Sequence, residues 1–466
     1  MTAFEFIAGS FRDRRGRVIR CGDRIFRAMS GEGAKDFARV ERTGLLSELI
    51  DDGLLVPWWS VPASEVPLAA PPFERVLEHE RLAFVSYPYE WSFGALKAAA
   101  LTHLDIQIRA LEKDVGLVDA SAFNVQFHKG KPIFIDHLSF RPYQEGEYWL
   151  GHRQFCEEFL NPLVLRSVVG IPHNDWYRGA LQGPTNAVLV RLLPFRAWFN
   201  WMILTNVILP ERFEKRALAA KSHSRVSEGM KRRKFPKSSY KLMLGTLRRG
   251  IERLEAPSDT TAWDSYAGDN IYGTEEAERK RAFVARFSAA VRPNMVWDIG
   301  CNTGEYAKVA LENGAGSAIG FETDALALEK AYRRAVDENL DFTPLYMDAT
   351  NPSPSQGWHQ TERDGLEQRR GADAVFSLAI LHHICIGRNV PLNDAVAWLV
   401  EHAPRGIIEF VPKEDPMVRE LLALRDDIFS DYSEQVFAAA LSTRARVVES
   451  ETITASGRRL FWFERT

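Results

Sequence analysis

The chain has few cysteines and no two of them at CxxC spacing. Cys21, Cys156, Cys301 and Cys385 are scattered, so neither a zinc site nor a redox pair is indicated, and free thiols fit a reducing compartment. It also lacks a charge excess. Its 59 Lys and Arg face 62 Asp and Glu, for a net −3, so no global field directs it to nucleic acid or a membrane. It lacks a long unbroken apolar run as well. The first residues, MTAFEFIAGSFRDRRGR, are too short in apolar side chains for a signal peptide. The most apolar stretch, Val188 to Leu209, is interrupted by Arg191, Pro194, Arg196 and two Asn, whereas a spanning helix needs about 20 nearly unbroken apolar residues. That stretch predicts a buried helix pair, with a helix lying along a membrane as the alternative. These absences predict a cytoplasmic protein that does not span a membrane. No internal repeat is present. What is there is an ordinary globular balance, 45% apolar and 26% charged over 466 residues, enough for two or three domains.

In the first half, SFRD, RVIRC and RIFRAM predict a small antiparallel meander, broken at Arg15-Gly16 and Cys21-Gly22-Asp23. Lys35 to Asp52 has helical periodicity closed by Gly53. A Pro- and Ala-rich loop, Ser60 to Pro72, precedes a strand expected over Arg81 to Glu90. Phe93 to Val115 predicts a strong helix ended by Gly116. Val125 to Asp136 predicts a hairpin turning at Lys129-Gly130, with mostly helical sequence following to about Leu209. Arg212 to Arg249 differs: it holds thirteen Lys or Arg against two Glu, including KRRK at Lys231 to Lys234. It marks a linker. From Trp263 onward, MVWDIG, AIGFET, FTPLYMD, ADAVFSLA, RGIIEFV, RVVESETI and RRLFWFE predict seven strands, with helices between the first five. That pattern indicates an α/β, doubly wound open sheet. The expected domains are 1–210, a basic segment 211–262, and 263–466.

The stretch VWDIGCNTGEY ends an apolar run on Asp298 and drops into glycines. Gly300 and Gly304 allow a sharp turn and close backbone approach to a ligand, and Asn302 between them tolerates unusual φ. The next strand ends on Glu322, about twenty residues on, where a carboxylate can accept two hydrogen bonds from a ribose diol. The third ends near Asp348, placed to accept from an adenine amino group. An acid before the first glycine is unfavourable beside a pyrophosphate and favourable beside an ammonium group. The combination of DIGCNTGE, FETD, MDAT and SLAILHH resembles the class I S-adenosylmethionine-dependent methyltransferases, over roughly Trp263 to Thr466. The resemblance implies a Rossmann-like seven-stranded fold and S-adenosyl-L-methionine as cofactor. It implies that Asp298, Gly300 and Gly304 form the methionine-end loop, Glu322 holds the ribose and Asp348 contacts adenine.

Methyl transfer from a sulfonium needs alignment first and a base only where the acceptor must lose a proton. His382 and His383, after the fourth strand, are candidates for that base or for plain pocket and capping roles. Glu409, in IIEFVP, is a candidate for acceptor binding, for the base or for a structural acid. Upstream, Trp263, Tyr266 and Tyr272 can line a sulfonium and Lys280 can pair with the cofactor carboxylate, or this helix simply packs.

In the first half, Asp119, Asn124 and Asp136 surround a loop and a hairpin. Phosphoryl transfer needs a carboxylate on the acceptor side and oxygen ligands for magnesium. With the order meander, helix, strands, long helix, loop, helices, this region, roughly 1–210, resembles the α+β protein-kinase-like fold, small-molecule kinases more than protein kinases. The resemblance implies Asp119 as acceptor-side carboxylate, Asn124 and Asp136 as ligands of ATP-bound Mg2+, and SYPYEW, Ser86 to Trp91, as the hinge. It departs from that pattern in several places. No GxGxxG is present; Arg27, with Glu41 its expected partner, stands where Lys is usual, and the two are not equivalent at a phosphate; IDHLSF replaces Asp-Phe-Gly. The alternatives are a nucleotide-binding or degenerate kinase-like fold, or neither.

Across the whole chain, DASAFNVQF, FIDHLSF, QFCEEFL, DIGCNTGEY, NPSPSQGW, LHHI and IEFVPKEDPMV resemble bacterial proteins grouped as nodulation-type methyltransferases. This resemblance implies methylation of an O or N atom of a small molecule, glycan or lipid-linked saccharide. The basic segment 212–249 can meet RNA, an anionic leaflet or a saccharide phosphate, or be a solvated linker helix. Nucleic acid is the weaker option, since the chain is slightly acidic and carries no RNA-binding motif. The expectation is a methyltransferase. Phosphotransfer by the first half and a cofactor-sensing adaptor without catalysis are the alternatives.

Overall fold

A computed structural model describes residues 3–69, 72–219, 235–257, 274–423 and 425–466. The protein is a mixed α/β chain in two compact units. The first comprises Met1–His128, Pro132–Ser258 and Ser355–Asp364, the second Lys129–Lys131, Asp259–Pro354 and Gly365–Thr466.

The first unit opens with β1 (Phe4–Phe6), β2 (Gly16–Cys21) and β3 (Arg24–Ser30), followed by α1 (Gly31–Glu41), α2 (Leu45–Asp51), β4 (Trp58–Val61) and β5 (Phe73–His79). These strands form an antiparallel sheet in the order β1-β2-β3-β5-β4. Its core is Ile19, Phe26, Ala28 and Val76, alternate residues of paired strands, as a half-buried sheet requires. Three local expectations are corrected. Ser10 to Asp13 is a turn, and the first strand lies earlier. The helix expected over Lys35 to Asp52 is two helices, because Gly44 takes φ 76° and breaks the ladder. Arg81 to Glu90 is not a strand; the register pairs Phe73–His79 with β3 instead, and Pro88 starts a short turn of helix.

The long helix α3 (Phe93–Glu112) starts where Ser92 caps it, its side chain accepting from Ala95 N–H. It is followed by β6 (Val115–Leu117), β7 (Val125–His128), β8 (Lys131–Phe134) and β9 (Phe140–Pro142), with β6 paired to β9 and β7 to β8. Lys129 and Gly130 turn the hairpin with φ 51° and 71°, the signs a two-residue turn needs. The basic stretch is partly within this unit. The helix Lys237–Glu252 buries Tyr240, Leu244, Leu247 and Ile251. Its Lys237, Lys241 and Arg248 pair with Asp114, Glu112 and Asp105 at 2.6, 3.3 and 2.6 Å. KRRK at Lys231 to Lys234 lies outside the described residues.

The second unit is a seven-stranded sheet. Its strands are β10 (Met295–Ile299), β11 (Ser317–Glu322), β12 (Phe342–Tyr346), β13 (Ala374–Ser377), β14 (Arg405–Phe410), β15 (Ala445–Thr452) and β16 (Arg459–Arg465). All seven expected strands are present. The order is β12-β11-β10-β13-β14-β16-β15. Strands β10 to β14 pair in parallel and β16 runs antiparallel between β14 and β15. The order reverses between β10 and its neighbours, the place where open α/β sheets form a ligand crevice. The helices Glu305–Glu312, Ala325–Asp337 and Leu392–Glu401 make the crossovers after β10, β11 and β13. The connection from β12 to β13 departs from expectation: it has only short 3-10 turns, and its Ser355–Asp364 portion belongs to the first unit.

Candidate functional site

β10 carries Asp298 to the carboxyl edge of the second unit's sheet, where the side chain is 1% exposed. Among the described residues its Oδ2 has no hydrogen-bond partner. Burial pushes its carboxyl up to about 7, Lys280's charge opposing and Glu322's adding. The loop then turns through Gly300 (φ 80°), Asn302 (φ 47°) and Gly304 (φ 76°). A Cβ on Gly304 would lie 2.4 Å from the Phe342 ring, and one on Gly300 2.9 Å from Ile380 Cδ1. Both positions therefore need glycine for space as well as for φ.

Glu322, at the end of β11, locks this loop. Its Oε2 accepts from Asn302 N–H at 2.8 Å, and its Oε1 from Thr323 and Asp324 N–H at 2.7 and 2.8 Å. Burial raises its carboxyl above the usual range against those three donors. Asp348 lies just past β12. It accepts from the backbone N–H and hydroxyl of Thr350 at 2.8 and 2.7 Å, with Arg388 3.6 Å away.

Next to β10, β13 ends in SLAILHH. Ala379 takes φ 55° there, a strained value for a residue with a Cβ, and brings His382 and His383 in with their rings 4.1 Å apart. Burial holds both below the usual histidine range, His383 at about 4. His382 is buried, with no partner for either ring nitrogen among the described residues. His383 is half-buried.

Glu409, on β14, is fully buried. Lys280 Nζ, from the helix Thr274–Val291, reaches its Oε2 at 2.6 Å and Arg458 its Oε1 at 3.7 Å. Lys280 also lies 4.7 Å from the Tyr306 ring centre. Arg458 in turn makes a bidentate bond to Asp415, at 2.7 and 2.8 Å. Arg458 and Asp415 were not anticipated from the sequence. The signal is the β14–β16 register: Phe410 pairs with Arg459, so the residue before Arg459 must lie at the crevice end of β14. Trp263, Tyr266 and Tyr272 lie outside the described residues.

The first unit gathers a second polar cluster. Arg27 Nη1, from β3, lies 2.9 Å from Asp136 Oδ1 and 3.9 Å from Asp13. Asp136 also accepts from Leu138 N–H at 3.2 Å and from Ser139 Oγ at 2.5 Å. Asn124 Nδ2 donates to the same Ser139 hydroxyl at 3.5 Å. Asp119 accepts from Ser121 N–H at 2.9 Å, and burial, then Asp136's charge, raises it. The sequence-derived residues thus converge, with one correction. Glu41 does not partner Arg27: it binds Arg75 at 2.8 and 2.9 Å, because the β3–β5 register sets Arg75 opposite Met29, beside α1. Among the described residues, no group of His, Cys, Asp and Glu is arranged to hold a metal ion, and none of the four cysteines is in a disulfide.

No family model matches the chain. It is 47% identical over 462 residues to nodulation protein NoeA of Rhizobium meliloti (strain 1021), covering 99% of this chain and 96% of that one. The chain belongs to the NoeA family. Among solved structures, it is similar to the magnesium protoporphyrin IX methyltransferase ChlM of Synechocystis PCC 6803 with bound SAH, at 17% identity and a TM-score of 0.32, over 44% of this chain and 96% of that one. It is also similar to the N-methyltransferase NodS of Bradyrhizobium japonicum WM9, at 12% identity and a TM-score of 0.31, over 41% and 97%.

Proposed function

We propose that this NoeA-family chain is an S-adenosylmethionine-dependent methyltransferase acting through its second unit. The observation that carries this reading is Asp298: a buried carboxylate with one oxygen unpartnered among the described residues, at the reversal point of the sheet, beside a loop that Gly300 and Gly304 turn at positive φ. A buried acid costs stability unless something pairs with it. The amino group of the cofactor's methionine end supplies the missing charge.

The residues fit that group. Gly300 and Gly304 give the loop its positive-φ turn beside Asp298, and Glu322 keeps lone pairs for a ribose diol beyond its three N–H donors. Asp348 stands at the end of the next strand for the adenine side. S-adenosylmethionine supplies, when bound, an activated methyl group. Lys280 is held by Glu409, so we place it behind the carboxylate end, tuning the charge near Asp298. His383 is the better-exposed of the two histidines, and held neutral it can accept a proton from the acceptor. Glu409 is the structural acid of the pair, since two cations already face it.

The acceptor is an O or N atom of a small molecule, glycan or lipid-linked saccharide. Calorimetry with S-adenosylhomocysteine tests the reading: the full chain should bind it, and Asp298→Ala and Glu322→Ala should each weaken binding. Equal binding by both variants would contradict it.

A second reading concerns the first unit. A kinase-like nucleotide site with ATP and magnesium would be built on the meeting of Arg27, Asp119, Asn124 and Asp136. Against it, Asp136 already faces the Arg27 guanidinium, which a metal would have to displace. Magnesium–ATP titration into the full chain and into Asp136→Ala decides it; no heat in either removes the reading.

A further inference from the structure

Within the first unit, the segment Asn186–Ile208 turns large rings outward. Phe195 is 77% exposed, Phe199 78% and Trp201 66%. The segment is not simply loose, because Leu189, Ala197, Met202 and Ile203 beside them are buried. Its inner face is anchored, and the rings form the other face. Pro194 ends the helix Asn186–Leu192, and the 3-10 turn Phe195–Phe199 follows. That turn brings the Phe195 and Phe199 rings edge to face, 5.4 Å apart. A contiguous patch of large exposed rings forgoes burial and marks an interaction surface.

Its charge identifies the partner. Arg191, Arg196 and Arg212 are exposed around the rings, and the Arg212 guanidinium lies 4.4 Å from the Trp198 ring. Between Asp175 and Glu211 the sequence has no acidic residue. A second copy docked by two-fold symmetry would set these arginines against their equivalents. An anionic lipid surface meets both features: aromatic rings settle at the headgroup level, and two signals, apolar insertion plus a basic patch, are what stable surface binding takes. We propose that this patch docks the protein on an anionic lipid leaflet, with Phe195, Phe199 and Trp201 entering the headgroup–acyl boundary and the arginines facing lipid phosphates. The inference does not depend on the methyl-transfer reading.

Vesicle flotation with the full chain tests it. The protein should float with vesicles of phosphatidylglycerol and phosphatidylcholine, not with phosphatidylcholine alone, and raising salt should release it. The triple variant Phe195→Ser, Phe199→Ser, Trp201→Ser should lose binding by about tenfold or more, with an unchanged melting curve, because the rings support nothing inside. Trp201→Phe should still float but lose fluorescence quenching by brominated acyl chains. A full chain that stays at the bottom with both vesicle types overturns the proposal. So does a triple variant that floats as well as the parent, or light scattering that shows a dimer which the triple variant converts to monomer.

Discussion

Asp298, within β10 of the second unit, and Asp136, just past β8 in the first, each face a crowded polar neighbourhood, yet their circumstances are opposite. Asp136 is satisfied: Arg27, Leu138 N–H and Ser139 Oγ all reach it. Asp298 keeps an oxygen without a partner among the described residues and has its carboxyl pushed up to about 7. A satisfied acid holds structure together, whereas an orphaned buried acid destabilises the protein until a cationic ligand arrives. The same contrast recurs inside the second unit, where Glu409 is as buried as Asp298 but clasped by Lys280 and Arg458.

The largest effect should come from breaking that clasped pair. Glu409→Ala leaves Lys280 buried without its partner and should cost about 3–5 kcal/mol, seen as a large drop in Tm, with the double variant Lys280→Met, Glu409→Leu recovering part of it.

Asp298→Asn should do the reverse to stability while weakening S-adenosylhomocysteine by roughly 10- to 100-fold, the worth of a charged hydrogen bond. The sign follows from the raised carboxyl. Between its unfolded value near 4 and its folded value of about 7, the folded state holds a proton that the unfolded state has released. Stability from this group is therefore fully present below the unfolded value and lost as pH rises through the folded one. The Asn variant, which has no such loss, should melt higher than the parent at pH 8 or above, and the gap should close as pH falls.

Asp136→Asn removes a satisfied acid and should lower stability by about 1–3 kcal/mol at neutral pH, measured by denaturant unfolding. An increase there would erase the contrast between the two acids. The smallest effect belongs to the surface. Lys241→Ala breaks a solvent-exposed pair with Glu112 and should change stability by less than about 1 kcal/mol.

Sequence reasoning placed the second unit's strands well because each is an apolar run cut off by a turn signal, and parallel strands buried on both faces read as such runs. It also brought Asp298, Gly300, Gly304 and Glu322 to one edge, since every parallel strand delivers its end to the same side. It failed where a pairing decided the outcome. The aromatics of Arg81 to Glu90 and its single proline look extended and outweigh Phe73–His79 in the sequence, but the stretch finds no sheet neighbour among the described residues. Glu41 was given Arg27, when strand register hands it Arg75. Arg458 was missed because it meets Glu409 across nearly fifty residues, through an antiparallel strand inserted between two others. The missing crossover helix between β12 and β13 has the same origin, its Ser355–Asp364 stretch being folded into the first unit, where Arg363 covers the Phe123 ring at 4.2 Å.

The central claim is that the Asp298 carboxylate receives the amino end of a sulfonium cofactor. Its most direct test is S-adenosylhomocysteine affinity measured by calorimetry as a function of pH, for the parent chain and Asp298→Asn. The account predicts parental affinity that climbs with pH up to about 7, levels off above it, and is weak and far less pH-dependent in the variant. Equal affinities with the same pH profile in the two proteins would contradict it.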